Sequence, residues 1–156
     1  MFGSLRVADE CGARKKKVAE KTDALRLYLV HLRSDAQEAD QLETKLAADF
    51  DLAAEASPSS SAPVLFSRPL ARGTPAELRI DHETKLRSSD VIVVMCAHAD
   101  APWVAAKRQE LRRAGTLSAP PEQVVFYLPP AGISVSPYST AGSLPELLAI
   151  VPRRRP

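Results

Sequence analysis

The segment APWVAAKRQELRRA (residues 101–114) carries Trp103, Lys107 and Glu110 on one face of what reads as a helix. Trp103 offers an aromatic surface on which a planar ring could stack. Lys107 and Glu110, three residues apart, could together hold a ribose or a phosphate. Plainer roles compete with these. A lone tryptophan on an amphipathic helix more often packs over a helix–sheet seam, and a Lys–Glu pair at this spacing is more often a surface ion pair worth a few tenths of a kcal/mol. Two further groups belong to the same search. Arg33, Ser34 and Asp35 precede a second helix, where exposed backbone amides can receive an anion, although a cap and turn explain them as well. His98 and Asp100 occupy a turn from which they could reach a bound ligand, or simply be solvated. His82 reads as a surface helix residue.

Other chemistries lack their signatures. There is no phosphate-cradling P-loop, nucleophile elbow or G-x-G-x-x-G run. His31, His82 and His98 are far apart in sequence and show no zinc spacing, so no metal is expected. Cys11 and Cys96 suggest reduced thiols in a cytosolic protein rather than a disulfide framework.

The elements that must position these residues follow from hydrophobic period. LRLYLVHL (Leu25 to Leu32) and DVIVVMC (Asp90 to Cys96) are apolar on both faces, as parallel strands covered on two sides require. PVLFSRPL (Pro63 to Leu70) and QVVFYLP (Gln123 to Pro129) read as two shorter strands, ended by prolines. Between them run helices. Ala36 to about Phe50 places Ala39, Leu42, Leu46 and Phe50 at spacings of three and four, with Ser34 or Asp35 as its cap. Thr74, Pro75 and Glu77 open a second helix with a near capping-box pattern, burying Leu78 and Leu86 up to about Arg87. Ala101 to Ala114 is the third, stopped near Gly115. A Gly/Ser/Pro-rich loop (Ala131 to Ser143) leads to a short helix at Leu144 to Ile150. Strands alternating with helices over short links imply a parallel sheet with right-handed crossovers, and ligands or partners bind at the carboxyl ends of such strands.

The bulk properties agree with a single domain. The chain has 156 residues, 45% apolar and 26% charged, with a net charge of +2. That charge is too small for a nucleic-acid or anionic-membrane footprint, so neither partner is expected. The basic runs Arg14–Lys17 and Arg153–Arg155 read as solvated ends. The organisation expected is a charged helix or linker over 1–24, an α/β domain over 25–151 and a basic tail over 152–156. A low-complexity run, Ser57 to Ser61, reads as a loop. The opening residues lack the apolar core of a secretory signal, and apolar runs are too short to span a bilayer. A cytoplasmic location is therefore expected.

An ordered series of segments resembles a Toll/interleukin-1 receptor (TIR) domain, of the kind fused to STAND ATPases in bacterial defence and signalling proteins. It consists of LYLVHLRSD (27–35), GTPAELRIDHETKLRSSDVIVVM (73–95), APWVAAKRQELRRA (101–114) and VVFYLPP (124–130), so it spans roughly residues 25 to 130. The resemblance implies a flavodoxin-like three-layer sandwich with a central parallel sheet of four to five strands. It also implies one of two activities. The first is a signalling or adaptor module acting by protein–protein association, through self-association or within a larger STAND-type assembly, with exposed faces such as Ala101 to Ala114 as the contact surface. The second is an NAD nucleosidase or nucleotide-binding sensor, with NAD as substrate or ligand, Glu110 as the catalytic carboxylate and Trp103 as ring platform. No cofactor is otherwise expected. The chain departs from the NAD-cleaving pattern at one point: the residue four after Trp103 is Lys107, and Glu110 lies about 4.5 Å further along the helix axis. A displacement of about 1 Å can already cost a hundredfold in rate, so association is the favoured reading.

Overall fold

The structure is a computed structural model and describes residues 24–57, 63–113 and 123–152. The charged segment before the first strand, most of the Ser57 to Ser61 run, the Ala114–Gly115 helix end and the terminal arginines lie outside those residues. Five strands form one sheet in the order β2-β1-β3-β4-β5, every neighbouring pair parallel. They are β1 (Leu25–Val30), β2 (Val64–Ser67), β3 (Val91–Met95), β4 (Val124–Tyr127) and β5 (Ser139–Ala141). The helices are α1 (Ala36–Ala56), α2 (Pro75–Ser88), α3 (Ala101–Arg113) and α4 (Leu144–Ile150). This is the flavodoxin-like three-layer α/β sandwich expected from the alternation of elements.

The two-sided apolar strands take the centre for a physical reason. Side chains alternate across a strand, so a strand covered on both faces must be apolar at every position. All five residues of β3 are buried. Leu25, Leu27, Leu29, Val91, Val93 and Met95 point to one face, against Ala39, Leu42, Leu46 and Phe50 of α1 and Leu147 of α4. Tyr28, Val30, Ile92, Val94 and Phe126 point to the other, against Leu86 of α2 and Val104 and Leu111 of α3. Each large aliphatic side chain buried in these layers contributes about 1.5–3 kcal/mol.

The strand order contains a reversal between β1 and β3. The chain leaves β1 for β2 on one side and returns across it to β3 on the other, and the helices that follow β1 and β3 cover opposite faces of the sheet. A crevice opens outside the carboxyl ends of strands at such a point.

Four local expectations need correction. Helix α1 runs six residues past Phe50, to Ala56, because its final Leu-Ala-Ala-Glu-Ala continues with good helix formers even though Leu52 is exposed. Asp35 occupies the N-cap position of α1 but makes no side-chain cap bond. Leu78 is only half-buried, leaving Leu86 as the buried residue of α2. The predicted loop after β4 holds β5, three residues paired to Val125, Phe126 and Tyr127. Three residues are too few for a legible alternation, and an edge strand needs neighbours on one side only. The capping box of α2 forms as expected: Thr74 Oγ1 accepts from the Glu77 amide at 3.2 Å, and Glu77 Oε2 accepts from the Thr74 amide at 2.9 Å. No helix among the described residues is long and apolar enough to cross a membrane.

Candidate functional site

A cavity of about 260 Å³ lies at the carboxyl ends of β1 and β2, on the side covered by α2 and α3. Val30, His31, Leu32 and Arg33 form its floor and Pro69 and Leu70 one rim, while Leu78 and His82 of α2 face Trp103 and Lys107 of α3. Sequence alone places none of these elements side by side. They meet because β1 sits between β2 and β3 and both following helices pack on one face. Four lining residues are basic or imidazole-bearing and none is acidic, so the cavity favours an anion. Trp103 adds an aromatic wall, with Lys107 Nζ 5.6 Å from the ring centroid. The rest of Trp103 packs against the core layer beneath.

Behind this cavity runs a chain of hydrogen bonds. Glu110 Oε1 lies 2.5 Å from His82 Nε2, and Glu110 Oε2 accepts from Lys107 Nζ at 3.0 Å. The His82 hydrogen bond holds the Glu110 carboxyl well below its usual range, at about 2; burial opposes this, and Lys107 reinforces it. An ionised Glu110 can only accept, so His82 carries its proton on Nε2. His82 Nδ1 lies 2.7 Å from the Tyr28 hydroxyl and extends the chain; with the ring proton on Nε2 alone, Nδ1 accepts from that hydroxyl. Tyr28 is fully buried on β1. Burial, with the negative charges of Asp81 and Glu110, raises its pKa and keeps the phenol protonated.

The residues singled out from sequence therefore fall into two groups. Arg33, Trp103 and Lys107 line the cavity. Glu110 stands one step behind them, with both oxygens engaged by His82 and Lys107. The Lys107–Glu110 ion pair forms at the spacing that suggested it.

Asp35 and His98 meet elsewhere. Both follow strand ends that pair directly, Val30 opposite Val94. The Asp35 side chain is fully buried; its Oδ1 lies 2.7 Å from His98 Nδ1, and its Oδ2 accepts from the His98 amide at 3.3 Å. Asp35 thus braces the β3–α3 turn instead of capping α1, and its carboxylate raises the pKa of the largely exposed His98. Ser34 is exposed and belongs to neither group. Asp100 caps α3, its Oδ1 accepting from the Trp103 amide at 2.9 Å. Cys96 is a buried free thiol whose pKa is pushed up to about 12 by burial and by Asp35.

Two members of the hydrogen-bonded chain were not singled out as functional. His82 is mostly buried, with a side chain 17% exposed, not a surface residue. A signal was present: Leu78, His82 and Leu86 recur at spacings of four, which aligns them along one helix face. Tyr28 sits in a strand apolar on both faces, where a hydroxyl must find a partner. Comparison with family models, with curated proteins and with solved structures gives no match, so the site is read from its own geometry.

Proposed function

We propose that this chain is a TIR-like signalling or adaptor module that works by protein–protein association, in the kind of prokaryotic defence or signal-transduction assembly its sequence resembles. One observation carries this preference over a nucleosidase. Stabilising the charge that develops on ribose as nicotinamide leaves requires a carboxylate facing the substrate. Glu110 instead gives one oxygen to His82 and the other to Lys107, and it is not among the residues lining the cavity. Surface character supports association as well. Strand β2 is an edge of the sheet, and Leu65 on it, Leu70 after it and Ile80 on α2 are 54%, 45% and 61% exposed. Unpaired edge strands and exposed apolar side chains are both routes to chain–chain contact. Sedimentation velocity over rising concentrations tests the proposal: self-association should appear and should be lost in Leu65→Lys. A chain that stays monomeric throughout and binds no partner chain would refute it.

The cavity favours a second reading, a sensor of an anionic nucleotide. Its basic lining, aromatic wall and position outside the β1 and β2 ends suit a phosphate joined to a ring. At about 260 Å³ it would take one part of a dinucleotide such as NAD rather than the whole. Trp103 is the sole tryptophan, so its fluorescence reports on the cavity directly. Saturable quenching by NAD without nicotinamide release would support a sensor; release abolished by Glu110→Ala would restore the nucleosidase.

A further inference from the structure

We propose that Asp35, Glu38 and His98 form a binding site for a divalent cation of the zinc or manganese class, tying the turn after β1 to the turn after β3. One ligand atom from each of the three residues lies within 4.8 Å of the others. The cluster is short of positive charge. Asp35 is fully buried and Glu38 lies beside it, yet His98 is the only basic group in ion-pair contact with either among the described residues. A second feature belongs to the same side chain: Glu38 Oε1 lies 3.7 Å from His98 Nδ1, while its Oε2 atom is buried and has no hydrogen-bond partner among the described residues. A carboxylate oxygen left in that state is costly unless a cation or a donor reaches it.

The supporting contacts of a metal site are already made. Carboxylates that bind metals are usually held in place by a further hydrogen bond, and Asp35 Oδ2 accepts from the His98 amide at 3.3 Å while Oδ1 faces the imidazole. Loading requires one exchange. The proton between His98 Nδ1 and Asp35 Oδ1 leaves to solvent, and the cation takes its place, bonded to Nδ1, Oδ1 and a Glu38 oxygen. The present 2.7 Å separation of Nδ1 and Oδ1 must open to about 3.4 Å for two ligands on tetrahedral bonds of ~2.0–2.2 Å. His98 is 59% exposed and Glu38 37%, so both can move, and water can complete the coordination. One imidazole with two carboxylates selects zinc or manganese over magnesium, which prefers oxygen ligands alone. The site spans residues more than sixty apart, which is why no metal-ligand spacing is visible in the sequence.

Isothermal titration of the full chain with zinc chloride tests this, using Cys11→Ser protein so that this thiol supplies no ligand. One zinc per chain is expected. His98→Ala and Glu38→Gln, both at partly exposed positions, should each weaken binding at least tenfold and abolish the rise in melting temperature that zinc produces. Absence of binding, unchanged affinity in both variants, or equally tight binding of magnesium would each overturn the assignment. Circular dichroism of the variants establishes that they fold, and either one alone suffices for the comparison.

Discussion

Replacing Glu110 by glutamine separates the charge of this side chain from its shape. The amide oxygen can still accept from His82 Nε2, so the geometry survives while the ionised carboxylate is lost. In the folded chain the carboxyl titrates at about 2 instead of its ordinary 4.5. At about 1.4 kcal/mol per pH unit, that gap sets a ceiling of about 3 kcal/mol. The side chain is 39% exposed, so solvent screening reduces the expected contribution to about 1 kcal/mol. The sign follows from the lowered pKa. A carboxyl more acidic in the folded state stabilises the fold fully above 4.5, and this contribution is lost as pH falls towards about 2. Urea unfolding of wild type and Glu110→Gln, followed by circular dichroism in steps through that window, should show a difference of about 1 kcal/mol at neutral pH that closes on acidification. A difference that is absent, or that does not change with pH, would refute the idea that His82 and Lys107 hold an ionised carboxylate.

Other outcomes follow from the same structure. Tyr28→Phe keeps the ring but leaves His82 Nδ1 without its donor; it should cost about 1–3 kcal/mol, and a double-mutant cycle with Glu110→Gln should give a coupling above about 0.5 kcal/mol. Additive effects would mean that the two bonds do not form one chain. Leu46→Ala, at a position with no solvent exposure, should lower stability by about 2–5 kcal/mol in denaturant titration. Thr74→Ala removes the side-chain half of the α2 cap and should cost about 1 kcal/mol; a neutral effect would show the cap to be dispensable. In Cys11→Ser protein, Cys96 should resist Ellman's reagent until the chain unfolds, since it is buried and its thiol pKa is pushed up to about 12. Rapid labelling of the folded protein would contradict that burial.

Legibility from sequence differed between the fold and the site. Strand β3 was plain because every position in it is apolar, β1 because only Arg26 interrupts its apolar run, and α2 because Thr74, Pro75 and Glu77 spell a helix start. Strand β5 was hidden, since Ser139, Thr140 and Ala141 carry no strand-like pattern and are ordered by pairing with β4. At the site, Trp103, Lys107 and Glu110 could be grouped because a helix aligns residues three and four apart. Arg33 joins them at the cavity only through the packing of α2 and α3 beside the end of β1.

The chain's local periods were enough to determine which segments are strands, which are helices, and that the sheet would be parallel and covered on both faces. Those properties depend on neighbours two to four residues away. The partners of the reactive groups depend on strand order and on the face to which each crossover returns. Tyr28 meets His82 across 54 residues, and Asp35 meets His98 across 63. Local spacing aligns His82 with Leu78 and Leu86, but nothing local names a tyrosine 54 residues away as its partner or tells Asp35 bracing a distant turn from an aspartate capping its own helix. Only tertiary packing, by placing β1 between β2 and β3, decides both.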